Sequence, residues 1–126
     1  ENSEIFLLRN KSKAGIGFFE DGGFYPDFIL WILKDGKQYI NFCDPKGIRN
    51  LNPKNDPKIN FHKSLKDKEA KLADSSIVLN SFIISNTPFN KIQDLHSDIT
   101  KIEMDTKNVL FQNESGYINT MFSKIL

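Results

Sequence analysis

The sequence is poor in cysteine, in histidine and in long apolar runs. Its 126 residues include one cysteine, Cys43, and two histidines. An intrachain disulfide is therefore excluded, and a reducing cytoplasm is the simplest setting. His62 and His96 stand alone, without the spacing of metal ligands, and we interpret both as structural. No apolar stretch reaches the length of a membrane span, so we expect no membrane partner.

An excess of charge of either sign is also lacking. Seventeen Lys and Arg face 16 Asp and Glu, for a formal net charge of +1, so any basic surface must be local. The hydrophobic content of 39% and the 11 phenylalanines fit a globular core. This length is typical of one domain, which we assign to residues 1–126. The chain begins without Met or signal-peptide features, and we interpret it as a domain excised from a larger protein.

The distribution of apolar residues predicts an α/β fold with a mixed central sheet flanked by helices. The predicted strands are Glu4–Asn10, Phe24–Lys34, Lys37–Cys43, Ser76–Ser85 and Asn108–Asn113, with a further short apolar run over residues 16–23. The first predicted helix has Asp56 as N-cap and Pro57 as first residue, and it ends near Ala73. A short second helix is predicted to start through Thr87 and Pro88. The C-terminal segment predicts an amphipathic helix with Ile118, Met121, Phe122 and Ile125 on one side.

A tight turn at Asp35-Gly36 aligns the two most strongly predicted strands. Asp-Gly is a favoured pair for a two-residue type I′ hairpin turn. Lys34 then faces Lys37, and counting along both strands places Asp27 opposite Asp44. Opposed residues on antiparallel strands point to the same face, with Cβ atoms about 4.5–5.5 Å apart. The turn therefore predicts two neighbouring carboxylates at the outer end of the hairpin.

Lys46 shares the predicted face of Asp44, because the two lie two residues apart on a strand. Two close carboxylates repel, so either one raises its pKa or a cation joins them. Oxygen ligands beside a lysine suit Mg²⁺, which lowers the pKa of bound water and stabilises charge on a phosphate. The constellation predicts metal-assisted phosphodiester hydrolysis. The alternative is an Asp–Lys ion pair at the sheet edge beside an aspartate that starts a loop.

Two neighbours of these acids are assigned to the core. Cys43 alternates away from Asp44, which predicts a buried thiol rather than a nucleophile. Trp31 shares the face of Asp27 but lies deeper along the strand, and we interpret it as a core residue rather than a base-stacking platform.

The segments "YPDF" and "FCDPKG" resemble the PD-(D/E)xK nuclease superfamily, in which an aspartate begins the second core strand and an acid-x-lysine triplet ends the third. The longer run "GIGFFEDGGFYPDFILWILKDGKQYINFCDPKGIRNL", Gly15–Leu51, resembles the nuclease domain of type III restriction (Res) subunits and related DEAD/DEAH-box helicase-like proteins. Beyond this run only the order of elements matches. The resemblance implies a restriction-endonuclease-like fold and a DNA endonuclease.

The same resemblance assigns roles to individual residues. Asp27, Asp44 and the backbone carbonyl of Pro45 would be ligands of Mg²⁺ or Mn²⁺, and Lys46 would orient the attacking water or stabilise the transition state. The implied partners are DNA, an upstream ATPase or helicase domain of the same protein, and a modification or specificity subunit. Many family members supply a further acidic ligand from a helix before the first strand. The acidic candidates for it are Glu1, Glu4 and Glu20.

Two basic residues are candidate phosphate contacts. Lys13 lies in the basic loop "KSKAGIG", and Arg49 closely follows Lys46. Both also fit ordinary surface loops, and the lysines of the first predicted helix fit either a solvated face or a DNA-facing stripe. Two other functions remain open on the sequence alone: a non-catalytic nuclease-like module that binds DNA or a partner, and a structural domain in which the acids serve folding.

Overall fold

The computed structural model describes residues 3–11, 15, 17 and 25–126. Within these residues the chain is mixed α/β, with five strands and four helices. The elements are β1 Ser3–Arg9, β2 Phe28–Lys34, β3 Lys37–Lys46, α1 Phe61–Leu72, β4 Ile77–Ser85, α2 Phe89–Leu95, α3 Lys101–Thr106, β5 Val109–Phe111 and α4 Tyr117–Ile125. None of the described helices is both long enough and apolar enough to cross a bilayer.

The sheet is mixed, as predicted, with the strands in sequence order from β1 to β5. The first three strands are antiparallel, whereas β4 and β5 run parallel to β3. The carboxyl ends of β3, β4 and β5 therefore meet at one edge. β1 is an outermost strand of the sheet, and all seven of its residues are exposed.

Helices cover both faces of the sheet and form a sandwich of three layers. On one face, Phe61 and Leu65 of α1 pack against Ile29 and Phe42. On the opposite face, Met121 and Ile125 of α4 pack on side chains that include Cys43. A third cluster joins α2 and α3 to the carboxyl edge of the sheet through Ile48, Ile83, Ile92, Met104 and Phe111. The core therefore lies on both sides of β3 and β4, and these strands position the candidate site.

The turn chemistry is confirmed. Asp35 and Gly36 both have positive φ, 53° and 75°, as a type I′ turn requires. Pairing begins at Lys34 opposite Lys37, which is the predicted register. An alanine at position 36 would be strained at this φ, whereas glycine adopts it freely.

The boundaries of β2 and β3 differ from the prediction. β2 begins at Phe28 rather than Phe24, which lies outside the described residues, as does most of the predicted run over residues 16–23. β3 extends past Cys43 to Lys46, because pairing with β4 continues to Lys46 opposite Ser85. The register passes regularly through Pro45, so no bulge separates Asp44 from Lys46.

Three helix predictions need correction. α1 begins at Phe61, not at Pro57, because Asp56 caps the preceding turn by accepting a hydrogen bond from the N–H of Lys58 at 2.8 Å. α2 begins at Phe89 rather than at Thr87, whose hydroxyl accepts from the N–H of Ile48 at 3.3 Å. In α4, Met121 and Ile125 are buried as predicted, but Ile118 is 42% exposed.

Candidate functional site

The hairpin register extends to the two predicted acids. β2 and β3 pair as far as Phe28 opposite Cys43, and Asp27 and Asp44 are the next residues on the two chains. The N–H of Asp27 donates to Oδ1 of Asp44 at 3.0 Å. Its carbonyl accepts from the N–H of Asn10 at 2.8 Å, so the main chain of Asp27 links β1 to β3. The structure thus brings Asp27 and Asp44 together, although Asp27 lies in a bend just before β2.

Asp44 is a buried carboxylate with a cation beside it. The residue is only 4% exposed, and Oδ2 lies 2.6 Å from Nζ of Lys46, whose side chain is 21% exposed. Because the backbone of Asp27 satisfies Oδ1 and the ammonium satisfies Oδ2, the charge is compensated despite its burial. Lys46 therefore lies on the predicted face, and its contact with Asp44 is the ion pair of the alternative interpretation.

The negative charge of Asp44 is also felt by Cys43. Burial, and then the neighbouring Asp44, raise the pKa of the Cys43 thiol to about 12. The thiol is buried at 5% exposure and stays protonated near neutral pH. This agrees with its assignment as a core residue, since the thiolate is the nucleophilic form.

The remaining predicted residues lie at different depths around this pair. Pro45 is exposed and pairs with Ile84, between the two residues that form the ion pair. Arg49 is exposed in the turn that follows β3. Lys13 lies outside the described residues. Trp31 is only partly buried, so its assignment to the core holds in part, and its indole N–H donates to Oε1 of Gln38 at 3.2 Å.

The described residues do not supply the third acid. Among residues 3–11, 15, 17 and 25–126, no three His, Cys, Asp or Glu side chains gather in a way that would hold a metal. Glu4 pairs with Leu33 at the opposite end of β2, about 20 Å along the strand from Asp27 at roughly 3.3 Å per residue. Glu4 is therefore wrong as a candidate, and Glu1 and Glu20 lie outside the described residues.

Asn86 is a site residue that the sequence did not indicate. It follows β4 at the carboxyl edge, and its N–H donates to the carbonyl of Lys46 at 3.1 Å. Gly47 makes room for its side chain, because a Cβ at position 47 would lie 3.0 Å from Oδ1 of Asn86 and 3.4 Å from Oγ1 of Thr87. An exposed amide therefore lies beside the chain just after Lys46. The sequence around Asn86 does not indicate that this residue will lie beside the end of β3.

His62 has the structural role expected of it. Its Nδ1 accepts a hydrogen bond from the N–H of Ser81 at 3.3 Å and lies 3.2 Å from Nδ2 of Asn108. Burial, followed by the charges of Lys66 and Lys124, lowers the pKa of His62 to about 4, against a smaller opposing effect of Glu69. The ring is neutral near pH 7 and accepts the N–H of Ser81, two residues before β4 begins to pair with β5 at Ile83.

No protein-family model matches this chain. No curated protein matches it either. A search of solved structures likewise finds no match.

Proposed function

We propose that this domain is a divalent-metal-dependent DNA endonuclease of the restriction-endonuclease-like kind, belonging to a restriction or helicase-type protein. The observation that carries the proposal is the clustering of Asp27, Asp44 and Lys46 by the β2–β3 hairpin. These three residues resemble the acid and acid-x-lysine pattern of the PD-(D/E)xK nucleases, and carboxylates placed in this way would hold a metal ion that assists phosphodiester hydrolysis. The antiparallel-then-parallel order of the sheet supports the same fold assignment.

The donor set fits Mg²⁺ or Mn²⁺. Mg²⁺ is usually bound through one or two carboxylates and keeps several waters; Asp27 and Asp44 would supply the carboxylate oxygens and the carbonyl of Pro45 a further donor. When bound, such an ion supplies a water of lowered pKa and neutralises charge on the phosphate. The main chain of Asp27 and the ammonium of Lys46 hold the Asp44 carboxylate in a fixed position. This preorganisation keeps the carboxylate in place before substrate arrives.

Lys46 has two tasks in this proposal. In the resting protein its ammonium neutralises Asp44 at 2.6 Å. With substrate present, the same ammonium orients the attacking water or stabilises the negative charge that develops on the phosphate. Asn86 contributes an exposed side-chain amide beside Gly47, and we assign it to a contact with substrate phosphate or sugar. Arg49 and Lys13 are the proposed phosphate contacts farther along the DNA.

The test is DNA cleavage with matched variants. Plasmid DNA is incubated with the protein in Mg²⁺ or Mn²⁺, with a chelator as the metal-free control. Asp44→Asn and Lys46→Ala are each expected to lower the cleavage rate at least about a hundredfold. Asp67→Asn, the same change of charge at an exposed position of α1, is expected to leave cleavage unchanged. Metal-dependent cleavage that survives both site substitutions would overturn the assignment.

A non-catalytic module that binds DNA or a partner domain is the second candidate. The internal pairing of Asp44 with Lys46 favours it, because a satisfied ion pair stabilises the hairpin without any metal. The observation that the described residues supply two acids rather than three points the same way. DNA binding without cleavage by the unaltered protein, in either metal, would establish this function in place of the first.

A further inference from the structure

A basic cavity lies between α1 and the end of α3, and none of Asp27, Asp44 and Lys46 lines it. It encloses about 660 Å³ and is lined by Lys54, Lys63, Lys66 and Lys107 together with Asn60 and His62. No acidic side chain of the described residues lines it. The residues come from three separate stretches of chain, so the tertiary fold gathers this charge rather than a run of lysines in the sequence.

Acidic neighbours balance only part of this charge. Lys54 lies 3.3 Å from Glu103 and 3.8 Å from Asp98, and Lys66 lies 3.1 Å from Glu69. These ion pairs balance the positive charges of Lys54 and Lys66.

The other two lysines carry the excess positive charge. Nζ of Lys107 donates to the carbonyl of Pro53 at 2.6 Å, which is a neutral acceptor. In the part of the chain that the structure describes, no ion pair joins Lys63 or Lys107 to an acid. The cavity therefore keeps a positive potential near neutral pH.

The neutral ring of His62 adds a hydrogen-bond donor. Since Nδ1 accepts from Ser81, the proton of the neutral imidazole is on Nε2. Burial, and then the charges of Lys66 and Lys124, lower the pKa of His62 to about 4. Burial also lowers the pKa of Lys107, and Glu103 opposes this effect more than Lys54 adds to it. The charge of Lys66 therefore lies close enough to His62 to disfavour its protonation, and a bound anion would offset that effect.

We propose that this cavity binds a phosphate group, carried either by a small phosphate compound or by a nucleic-acid backbone. Lysine ammonium groups bind phosphate as point charges, and an imidazole N–H and a side-chain amide add directed hydrogen bonds. A phosphate offers several acceptor oxygens, which matches donors that converge from α1 and from the segments around Lys54 and Lys107. The site does not depend on the proposed nuclease function.

The experiment follows the imidazole of His62 by NMR while inorganic phosphate is added at constant ionic strength. Phosphate is expected to shift the His62 resonances saturably and to raise the pKa of His62 above about 4. Lys63→Gln and Lys66→Gln are each expected to weaken binding about tenfold, the loss of one charge-assisted hydrogen bond. Lys71→Gln is the control, because Lys71 is exposed on the same helix but does not line the cavity.

A short DNA duplex is titrated in the same way, with a chelator present so that cleavage plays no part. If the duplex reproduces the saturable shifts and the dependence on Lys63, the phosphate belongs to a nucleic-acid backbone. If only inorganic phosphate does so, the ligand is a small phosphate compound. The absence of saturation with both probes overturns the proposal, and so does a Lys71→Gln variant that weakens binding as much as Lys63→Gln.

Discussion

The main-chain N–H of Asp27 holds one carboxylate oxygen of Asp44 at 3.0 Å, while the ammonium of Lys46 holds the other at 2.6 Å. The two aspartates that the sequence places opposite each other are thus not equivalent. Asp44 contributes its side chain to this contact, whereas Asp27 contributes its backbone. Asp44 therefore has a structural role as well as its proposed chemical role.

The side chains of Asp44 and Asp27 are expected to contribute differently to the free energy of unfolding. Asp44→Ala removes the acceptor for the N–H of Asp27 and leaves Lys46 without its carboxylate, so we expect a loss of about 1–3 kcal/mol in the free energy of unfolding. Asp27→Ala keeps the main-chain bonds to Asn10 and Asp44, and we expect a change within about 0.5 kcal/mol. Urea denaturation of the two variants measures both values, and equal losses would contradict this division of roles.

Lys46 is expected to affect metal binding and cleavage in opposite directions. Lys46→Met leaves Oδ2 of Asp44 free of its cation, so Mn²⁺ should raise the Tm of this variant by more than it raises that of the unaltered protein, by a few degrees. Cleavage should nevertheless fall at least about a hundredfold, because the ammonium is lost from the reaction. Thermal unfolding with and without Mn²⁺ tests the first part. No rise in Tm for either protein would count against a metal site.

Gly47 is expected to act through Asn86. A methyl group at position 47 would lie 3.0 Å from Oδ1 of Asn86, so Gly47→Ala should push this exposed amide aside at a cost below about 1 kcal/mol in stability. Cleavage should fall as far in Gly47→Ala as in Asn86→Ala, and the double variant should fall no further, because the two changes act on one contact. Additive losses in the double variant would show that Gly47 acts by another route. Asn90→Ala, at an exposed position of α2, is the control.

The low pKa of His62 leads us to expect that the protein loses stability in acid. The pKa of this histidine is lowered from 6.5 to about 4, first by burial and then by Lys66 and Lys124. Between these values the unfolded chain binds a proton that the folded chain does not, so the free energy of unfolding falls as the pH falls from about 6.5 to about 4. His62→Asn keeps an acceptor for Ser81 but does not titrate, so its stability should depend less on pH by about 1–2 kcal/mol, allowing for the partial exposure of the ring.

Urea denaturation at about pH 7 and about pH 4.5 measures this difference. His96→Asn is the matched control, since it removes the other histidine of the chain. Equal losses of stability in the unaltered protein and in His62→Asn would show that other groups cause the acid sensitivity.

The hairpin was predictable because its determinants are local. Asp35-Gly36 fixes the turn type, and the turn fixes the register that places Asp27 beside Asp44. Asn86 was not predictable in the same way, because it reaches Lys46 only through the parallel pairing of β3 with β4. Such pairing joins strands that are distant in sequence, and no residue near Asn86 encodes it.

The short helix α3 was missed for a different reason. It has only six residues, and Ile102 is 76% exposed, so the apolar spacing that identifies longer helices is absent. Its one sequence signal is a capping box, in which the Thr100 side chain accepts from the N–H of Glu103 and the Glu103 side chain accepts in return. At the start of α1, by contrast, Asp56 has the chemistry of a cap but stabilises a turn before the helix.

The sheet also implies an order in which the chain assembles. The β2–β3 hairpin closes through two residues, whereas β4 joins β3 only after the intervening chain with α1 has folded back. Closing the longer loop costs more chain entropy before its contacts repay it. The contact between Asp27 and Asp44 therefore belongs to the half of the sheet that forms at the lowest entropic cost. The hydrogen bond between the N–H of Asn86 and the carbonyl of Lys46 belongs to the parallel half, which we expect to form more slowly.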